Sequence, residues 1–201
     1  MNNLHWNNFY KKFNIKKNSN FSDFVLKKIN KKKKLLEIGC GNGRDTFFFL
    51  KKSILCKAFD VSLTAIKKNK KIVKNVFYKK DVCKKYLKIN KKYDYIYARF
   101  FLHAINYKQE YFFFLNCKKL LSKQGLIFLE FRTIKDPLMK SGKMLSKYER
   151  LSDHYRRFIN VDDLQKRIKN IFKIIYLKQS RSFAIFQNQK PHICRIILKN
   201  E

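Results

Sequence analysis

The order of elements along the 201 residues predicts an α/β fold, a three-layer α/β/α sandwich around a mostly parallel sheet. Three observations carry this. Short apolar runs alternate with stretches of helical period through the first two thirds of the chain. The first run leads directly into three glycines at alternate positions. The last two β-rich runs follow one another with no helical stretch between them, which predicts an antiparallel pair at one edge.

Lys34 to Ile38 reads as the first strand and Arg44 to Lys52, with Phe47, Phe48 and Leu50, as the helix after the glycines. Ile54 to Phe59 is the second strand, ending on Asp60, and Ser62 is placed to cap a helix reaching about Lys71. Val76 to Tyr78 and Tyr93 to Ala98 are the third and fourth strands. Between Asn106 and Ser122, Phe113, Cys117, Leu120 and Leu121 fall on one helical face, and Asn106 with Gln109 has capping-box spacing. Gly125 is expected to end that helix and open a fifth strand, Leu126 to Phe131. Residues 132–160 are polar and are expected to form a helical insertion. Val161 to Asn170 reads as a last helix with Asp162 and Asp163 at its positive end, before strands over Phe172 to Leu177 and His192 to Leu198. One domain is expected, with an N-terminal helical cap over about 1–30 and an acceptor lid over about 133–160.

The formal net charge of +34 points first to nucleic acid. Composition weakens that reading. Lys outnumbers Arg 39 to 9, although Arg makes the better bidentate contact to phosphate or guanine. Residues with A/T-rich codons abound and those with G/C-rich codons are scarce, so base drift accounts for much of the charge without a partner. At 45% apolar residues the chain can bury a core and is no disordered basic tail. The longest uninterrupted apolar run, Tyr111 to Leu115, is far too short to span a bilayer, and no secretory leader is visible at the start. Cys40, Cys56, Cys83, Cys117 and Cys194 are odd in number and lack CxxC spacing, which argues against disulfides and zinc and for a reducing cytoplasm. No metal, membrane or nucleic-acid partner is expected, and the oligomeric state is not legible.

The strongest local signal is Leu35-Leu36-Glu37-Ile38-Gly39-Cys40-Gly41-Asn42-Gly43-Arg44. A buried strand runs into a glycine loop where the backbone can turn tightly and approach a ligand. Arg44 stands where a dinucleotide fingerprint would need its last glycine, and no GK[ST] follows, so NAD and ATP are disfavoured. Three of the five glycines of the chain fall in this loop. Asp60 ends the second strand, where its carboxylate can accept both hydroxyls of a ribose. Asp81-Val82 ends the third, where a carboxylate and a backbone N–H suit an adenine edge. Glu37 can face the ammonium of an amino-acid tail. All four features lie at the carboxyl ends of strands, where ligands of open α/β sheets bind.

These residues resemble the class I S-adenosylmethionine-dependent methyltransferases: LLEIGCGNGRD for the glycine motif, AFDVSLTAI for the ribose acid, KKDVC for the adenine acid, with YDYIYARFFLHAI and GLIFLEFR as the fourth and fifth strands. GCGNGR is similar to the wording of the tellurite-resistance type. His154-Tyr155-Arg156-Arg157-Phe158, continued over 180–195, resembles a bacterial subgroup associated with surface-sugar and secondary-metabolite clusters. The resemblance covers roughly residues 5–199. It implies a Rossmann-like fold whose seven-stranded sheet has its last strand antiparallel, S-adenosyl-L-methionine as cofactor, and methyl transfer from its sulfonium. The cofactor residues it implies are Tyr10, Glu37, Gly39, Cys40, Gly41, Gly43, Asp60, Val61, Asp81, Val82 and Arg99. Trp6 and Tyr10 resemble an aromatic helix that closes over the cofactor, with ordinary helix packing as the plainer reading.

Two histidines are candidates for the base that removes an acceptor proton, His103 after the fourth strand and His154 in the insertion. Each has a bland alternative as a packed or surface residue, which is the reading for His5 and His192. Arg132, Arg156 and Arg157, scarce as arginine is here, are candidates to hold an acceptor carboxylate or phosphate, with Asp136 and Tyr155 as further lid residues. Ion pairs of these arginines to Glu130, Asp136 or Asp153 are the equal alternative. The expected activity is methyl transfer to a small-molecule acceptor, foremost a hydroxyl of a sugar or a secondary metabolite such as a polyketide. RNA or protein methylation is the runner-up, and a non-catalytic binding module the third reading. The fourth strand runs into Arg99-Phe100-Phe101-Leu102 rather than the Pro-Pro-aromatic stretch that grips a base amine, which argues against a nucleic-acid substrate.

Overall fold

A computed structural model describes residues 3–12, 17–184 and 190–201. The parts of the expected N-terminal cap and of the 180–195 stretch that fall at 1–2, 13–16 and 185–189 lie outside the described residues. Strands β1 (Lys34–Ile38), β2 (Leu55–Asp60), β3 (Phe77–Lys79), β4 (Tyr93–Arg99) and β5 (Leu121–Arg132) pair in parallel. Helices α1 (Asn3–Lys12), α2 (Asn20–Leu26), α3 (Arg44–Lys51), α4 (Leu63–Ile72), α5 (Tyr107–Leu120) and α6 (Val161–Ile168) accompany them. Numbered in chain order, β6 (Lys143–Ser146), β7 (Glu149–Leu151) and β8 (Tyr155–Arg157) form a separate sheet, and β9 (Lys173–Ser180) and β10 (Ile193–Lys199) complete the main one.

The main sheet has seven strands in the order β3-β2-β1-β4-β5-β10-β9. β10 runs antiparallel to both β5 and β9, so the final strand is the reversed one. Its central strands are covered on both faces, and their apolar runs bury on both sides: Leu35, Leu36 and Ile38 of β1, Ile96 and Ala98 of β4, and Ile127, Phe128 and Leu129 of β5. α5 begins as its sequence predicts, with Asn106 and Gln109 closing a capping box. Ser62 caps α4 by accepting from the Ala65 N–H. All five cysteines are free and buried.

Two expectations are corrected. Gly125 does not end α5. Leu121 turns directly from the helix into extended backbone, and Gly125 sits inside β5, where an added Cβ would come within 3.0 Å of the Asp94 carbonyl oxygen. The insertion after β5 is not helical. Its polar residues form the three-stranded antiparallel sheet β6-β7-β8, preceded by one 3-10 turn over Pro137–Lys140 that Asp136 caps. With β-strands of three or four residues, period-2 patterning is too brief to read.

Candidate active site

The carboxyl ends of β1, β2, β3 and β4 open onto one cavity of about 390 Å³, within the range of small-molecule sites. Glu37, Gly39 and Cys40 line it from β1 and its loop, Asp60 and Val61 from β2, Asp81 and Val82 from the end of β3, and Arg99, Phe100 and His103 from β4 onward. Trp6 and Tyr10 of α1 close one side, and Arg132, Asp153, His154 and Arg156 the other.

The glycine loop owes its shape to its residues. Gly41 has φ +51° and Gly43, at the N-cap of α3, φ +76°, in the left-handed region that side chains with a Cβ resist. A Cβ on Gly41 would stand 2.3 Å from the Tyr10 hydroxyl, so the loop's bareness is what lets α1 close over it. A Cβ on Gly43 would meet Phe47, Asn69 and Phe77 at 2.9 to 3.0 Å. Gly43→Ala should therefore cost about 2–4 kcal/mol, combining the left-handed backbone with overpacking, as measured by urea unfolding.

Asp60 is 7% exposed, and its two oxygens accept from the Gly41 N–H (2.8 Å) and the Ser62 N–H (2.7 Å). Burial pushes its carboxyl up. A carboxylate has about four acceptor positions, so these backbone groups do not use up its capacity to accept from donors arriving in the cavity, as a ribose diol would supply. Glu37 is likewise buried and pushed up, and accepts from the Thr46 hydroxyl. Asp81 accepts from the Cys83 N–H at 2.9 Å, and the Val82 carbonyl accepts from Asn116 of α5 at 2.8 Å, which anchors the segment after β3. Behind the loop, Asp45 ties Ser19 and Tyr97 to α3: it accepts from the Ser19 N–H (2.7 Å), the Ser19 hydroxyl (2.8 Å) and the Tyr97 hydroxyl (2.6 Å).

α1 bridges the two sides of the cavity. Asn7 accepts from the Ser62 hydroxyl (2.9 Å) and the Thr64 N–H (3.2 Å), and the Lys68 ammonium donates to the Tyr10 and Lys11 carbonyls. At its other end the His5 and Trp6 rings lie 4.9 and 5.2 Å from the ring of His154. His5 thus packs, and His192 bonds to Thr133 at 2.6 Å, as structural residues.

Both candidate histidines line the cavity, and their bonding differs. The Arg132 backbone N–H donates to His103 Nδ1 at 3.2 Å. Burial, with Arg132, Arg156, His154 and Arg99 around it, holds His103 well below the usual imidazole pKa. The neutral ring therefore carries its hydrogen on Nε2. His154 Nδ1 lies 2.9 Å from Asp153, whose carboxyl Arg156 and Ser152 hold well below the usual range. An ionised carboxylate only accepts, so His154 carries its hydrogen on Nδ1 and a lone pair on Nε2. Burial and Arg156 push His154 down to about 4.

Of the other sequence-predicted residues, Arg132 and Arg156 line the cavity, while Asp136, Tyr155 and Arg157 do not. Asp136 faces Arg132 Nη1 with both oxygens (3.0 and 2.8 Å) and also accepts from Leu138 and His192 N–H groups, so it orients the arginine. The Tyr155 hydroxyl donates to Glu149. Arg157 is fully buried, donates to the Ile105 carbonyl at 3.0 Å and pairs with Glu110, which also accepts from Arg167 at 2.7 Å. It clips β8 to the turn carrying His103. Gly41 and Gly43 shape the loop without lining the cavity.

Sequence reasoning missed Arg44, Phe100 and Lys80 as lining residues and Asp153 as the partner of His154. Phe100 has φ +54° without being glycine, a strained conformation of the kind that concentrates at ligand sites. Its ring lies 4.1 Å from the Arg99 guanidinium and 5.6 Å from that of Arg132. Arg99 is held from behind by Glu130 at 2.8 Å, and Arg195 takes the other Glu130 oxygen at 2.8 Å.

Comparison with curated proteins finds no match by sequence. Among solved structures, the chain is similar to the PH0226 protein of Pyrococcus horikoshii OT3, at 16% identity and TM-score 0.77 over 96% of this chain and 99% of that one. It is similar to the glycopeptide N-methyltransferase MtfA complexed with S-adenosyl-L-homocysteine, at 13% identity and TM-score 0.71 over 92% and 91% of the two chains. A third is the 1,6-didemethyltoxoflavin-N1-methyltransferase of Burkholderia thailandensis, at 15% identity and TM-score 0.67 over 90% and 76%. These likenesses share the fold, with its seven-stranded sheet and reversed last strand. Residues 10–171 match the family model described as a methyltransferase domain, which spans the glycine loop, both strand-end acids and the insertion. The chain belongs to this methyltransferase family and is a methyltransferase enzyme.

Proposed function

We propose that the protein transfers a methyl group from S-adenosylmethionine to a hydroxyl oxygen of a small molecule, with His154 as the base. The observation that carries this is the Asp153–His154 pair facing the same cavity as Asp60 and Asp81. S-adenosylmethionine, when bound, supplies an electrophilic methyl on a sulfonium that leaves as a neutral thioether. The residues fit it. Asp60 would take the ribose hydroxyls, Asp81 and the Val82 backbone the adenine, Glu37 the ammonium, and Arg44 with Arg99 the carboxylate. Tyr10 and Trp6 would close over it and exclude water.

Asp153 orients His154 so that Nε2 is the nitrogen able to take a proton from the acceptor. His103 has the opposite tautomer and donates from Nε2–H to hold the acceptor. On this reading His103 orients the acceptor and His154 is the base. A sugar or secondary-metabolite hydroxyl remains the proposed acceptor, in keeping with the 154–158 run and the tellurite-resistance-like loop. A nitrogen acceptor is the second reading, favoured by the names of the glycopeptide and toxoflavin enzymes above.

Labelled methyl transfer from S-adenosylmethionine to a panel of hydroxylated and amine acceptors is the test. Incorporation into amines alone would contradict the oxygen reading. His154→Ala should lower turnover by about 10²–10⁴-fold while leaving binding of S-adenosylhomocysteine intact. Because His154 is held near 4, turnover should fall only as pH drops toward that value, and stay level through the usual imidazole range. A break near an unperturbed imidazole pKa would refute the assignment.

A further inference from the structure

We infer, resting on the methyltransferase reading, that the acceptor is an organic anion whose oxygen is held between the guanidiniums of Arg132 and Arg156 beside His103. The first support is where arginine sits. Of the nine arginines, Arg44, Arg99, Arg132 and Arg156 line the cavity, whereas among the described lysines only Lys80 does. In a chain whose composition has moved so far toward lysine, four planar forks are retained at one cavity, and the fork is what matches a carboxylate or other oxyanion bidentately.

The second support is the way the two arginines are anchored. Arg132 spends Nη1 on both oxygens of Asp136, which leaves Nε and Nη2 to other partners. Asp136 is itself fixed by two backbone N–H groups, so it sets the fork's direction. Arg156 gives Nη1 and Nη2 to Asp153 and Ser152 and keeps Nε.

His103 Nε2–H adds a donor to the same place, and the Phe100 ring, stacked against Arg99 and Arg132, gives the acceptor an apolar body to lie on. The anion is either a carboxylate, which needs no base, or an acidic hydroxyl that His154 deprotonates. A weak base suits the second case because the surrounding arginines make such a hydroxyl more acidic.

The test titrates the protein saturated with S-adenosylhomocysteine with three probes by calorimetry: benzoate, 4-nitrophenolate in mildly alkaline buffer, and neutral benzamide. At least one anion should bind about tenfold more tightly than benzamide, and which one does so separates carboxylate from acidic hydroxyl. Arg156→Gln and Arg132→Lys should each reduce that preference by roughly fivefold or more, weakening the anions more than benzamide, with binding of S-adenosylhomocysteine unchanged. Arg132→Lys keeps a charge for Asp136 and so guards against misfolding. Benzamide binding as tightly as both anions, or a preference that survives both variants, would overturn the inference. Anion preference in a protein that fails to bind S-adenosylhomocysteine would instead keep the anion site and remove the methyltransferase reading of the cavity.

Discussion

Asp60→Ala is expected to weaken binding of S-adenosylhomocysteine by about a hundredfold. This carboxylate would take the ribose hydroxyls, and each hydrogen bond to a charged group contributes roughly 1.5–3 kcal/mol. Two such bonds at the lower end of that range amount to about 3 kcal/mol. Asp60→Asn should fare little better. Both oxygens of Asp60 accept backbone N–H groups, from Gly41 and Ser62, so an amide nitrogen would face a donor whichever way it turned. Calorimetric titration of the three proteins checks this, and equal affinities would mean that the ribose lies elsewhere. The variants also lose a tie between the glycine loop and α4, so their thermal midpoints should be compared alongside.

Arg157→Met is expected to destabilise the fold by about 3–5 kcal/mol without touching the cavity chemistry. The guanidinium is fully buried, pairs with Glu110, stacks over the Tyr107 ring at 4.2 Å and caps the Ile105 carbonyl. Its removal leaves Glu110 to Arg167 alone, from the more exposed side. For a chain of this size that loss lowers the thermal midpoint by roughly 10 °C. Scanning calorimetry measures the shift, and titration of the native protein below its transition should find S-adenosylhomocysteine affinity preserved. A stable variant with weakened acceptor binding would return Arg157 to the acceptor site.

The contrast between Asp60 and Arg157 shows what was legible in the sequence. The parallel half of the sheet was, because its central strands are buried on both faces and read as unbroken apolar runs, and because each ends on a residue whose chemistry is local. Gly39, Cys40, Asp60, Val61, Asp81 and Val82 needed only strand order to be placed together. The acceptor side was not. Its residues come from β4, β5 and a small sheet whose strands are too short to carry a period, so adjacency in His154-Tyr155-Arg156-Arg157 gave no view of direction. In that extended run neighbours alternate: His154 and Arg156 line the cavity, Tyr155 reaches Glu149, and Arg157 turns into the core.

The tautomers of the two histidines depend on a backbone N–H and on Asp153, and only the fold places the first of these. Asp153 stands next to His154 in the chain and could have been paired with it. The strain at Phe100 has no sequence signature, since nothing in Arg99-Phe100-Phe101 marks a left-handed residue. Composition did carry one message across: against so many lysines, each arginine is worth locating, and four of nine converge on one cavity.

The most direct measurement is a crystal structure of the protein grown with S-adenosylhomocysteine. The ribose hydroxyls should lie on Asp60 and the adenine at Asp81 and Val82, with the sulfur facing the side of the cavity formed by His103, Arg132 and His154. A complex with the nucleoside bound away from Asp60, or with its sulfur turned from both histidines, would contradict this placement.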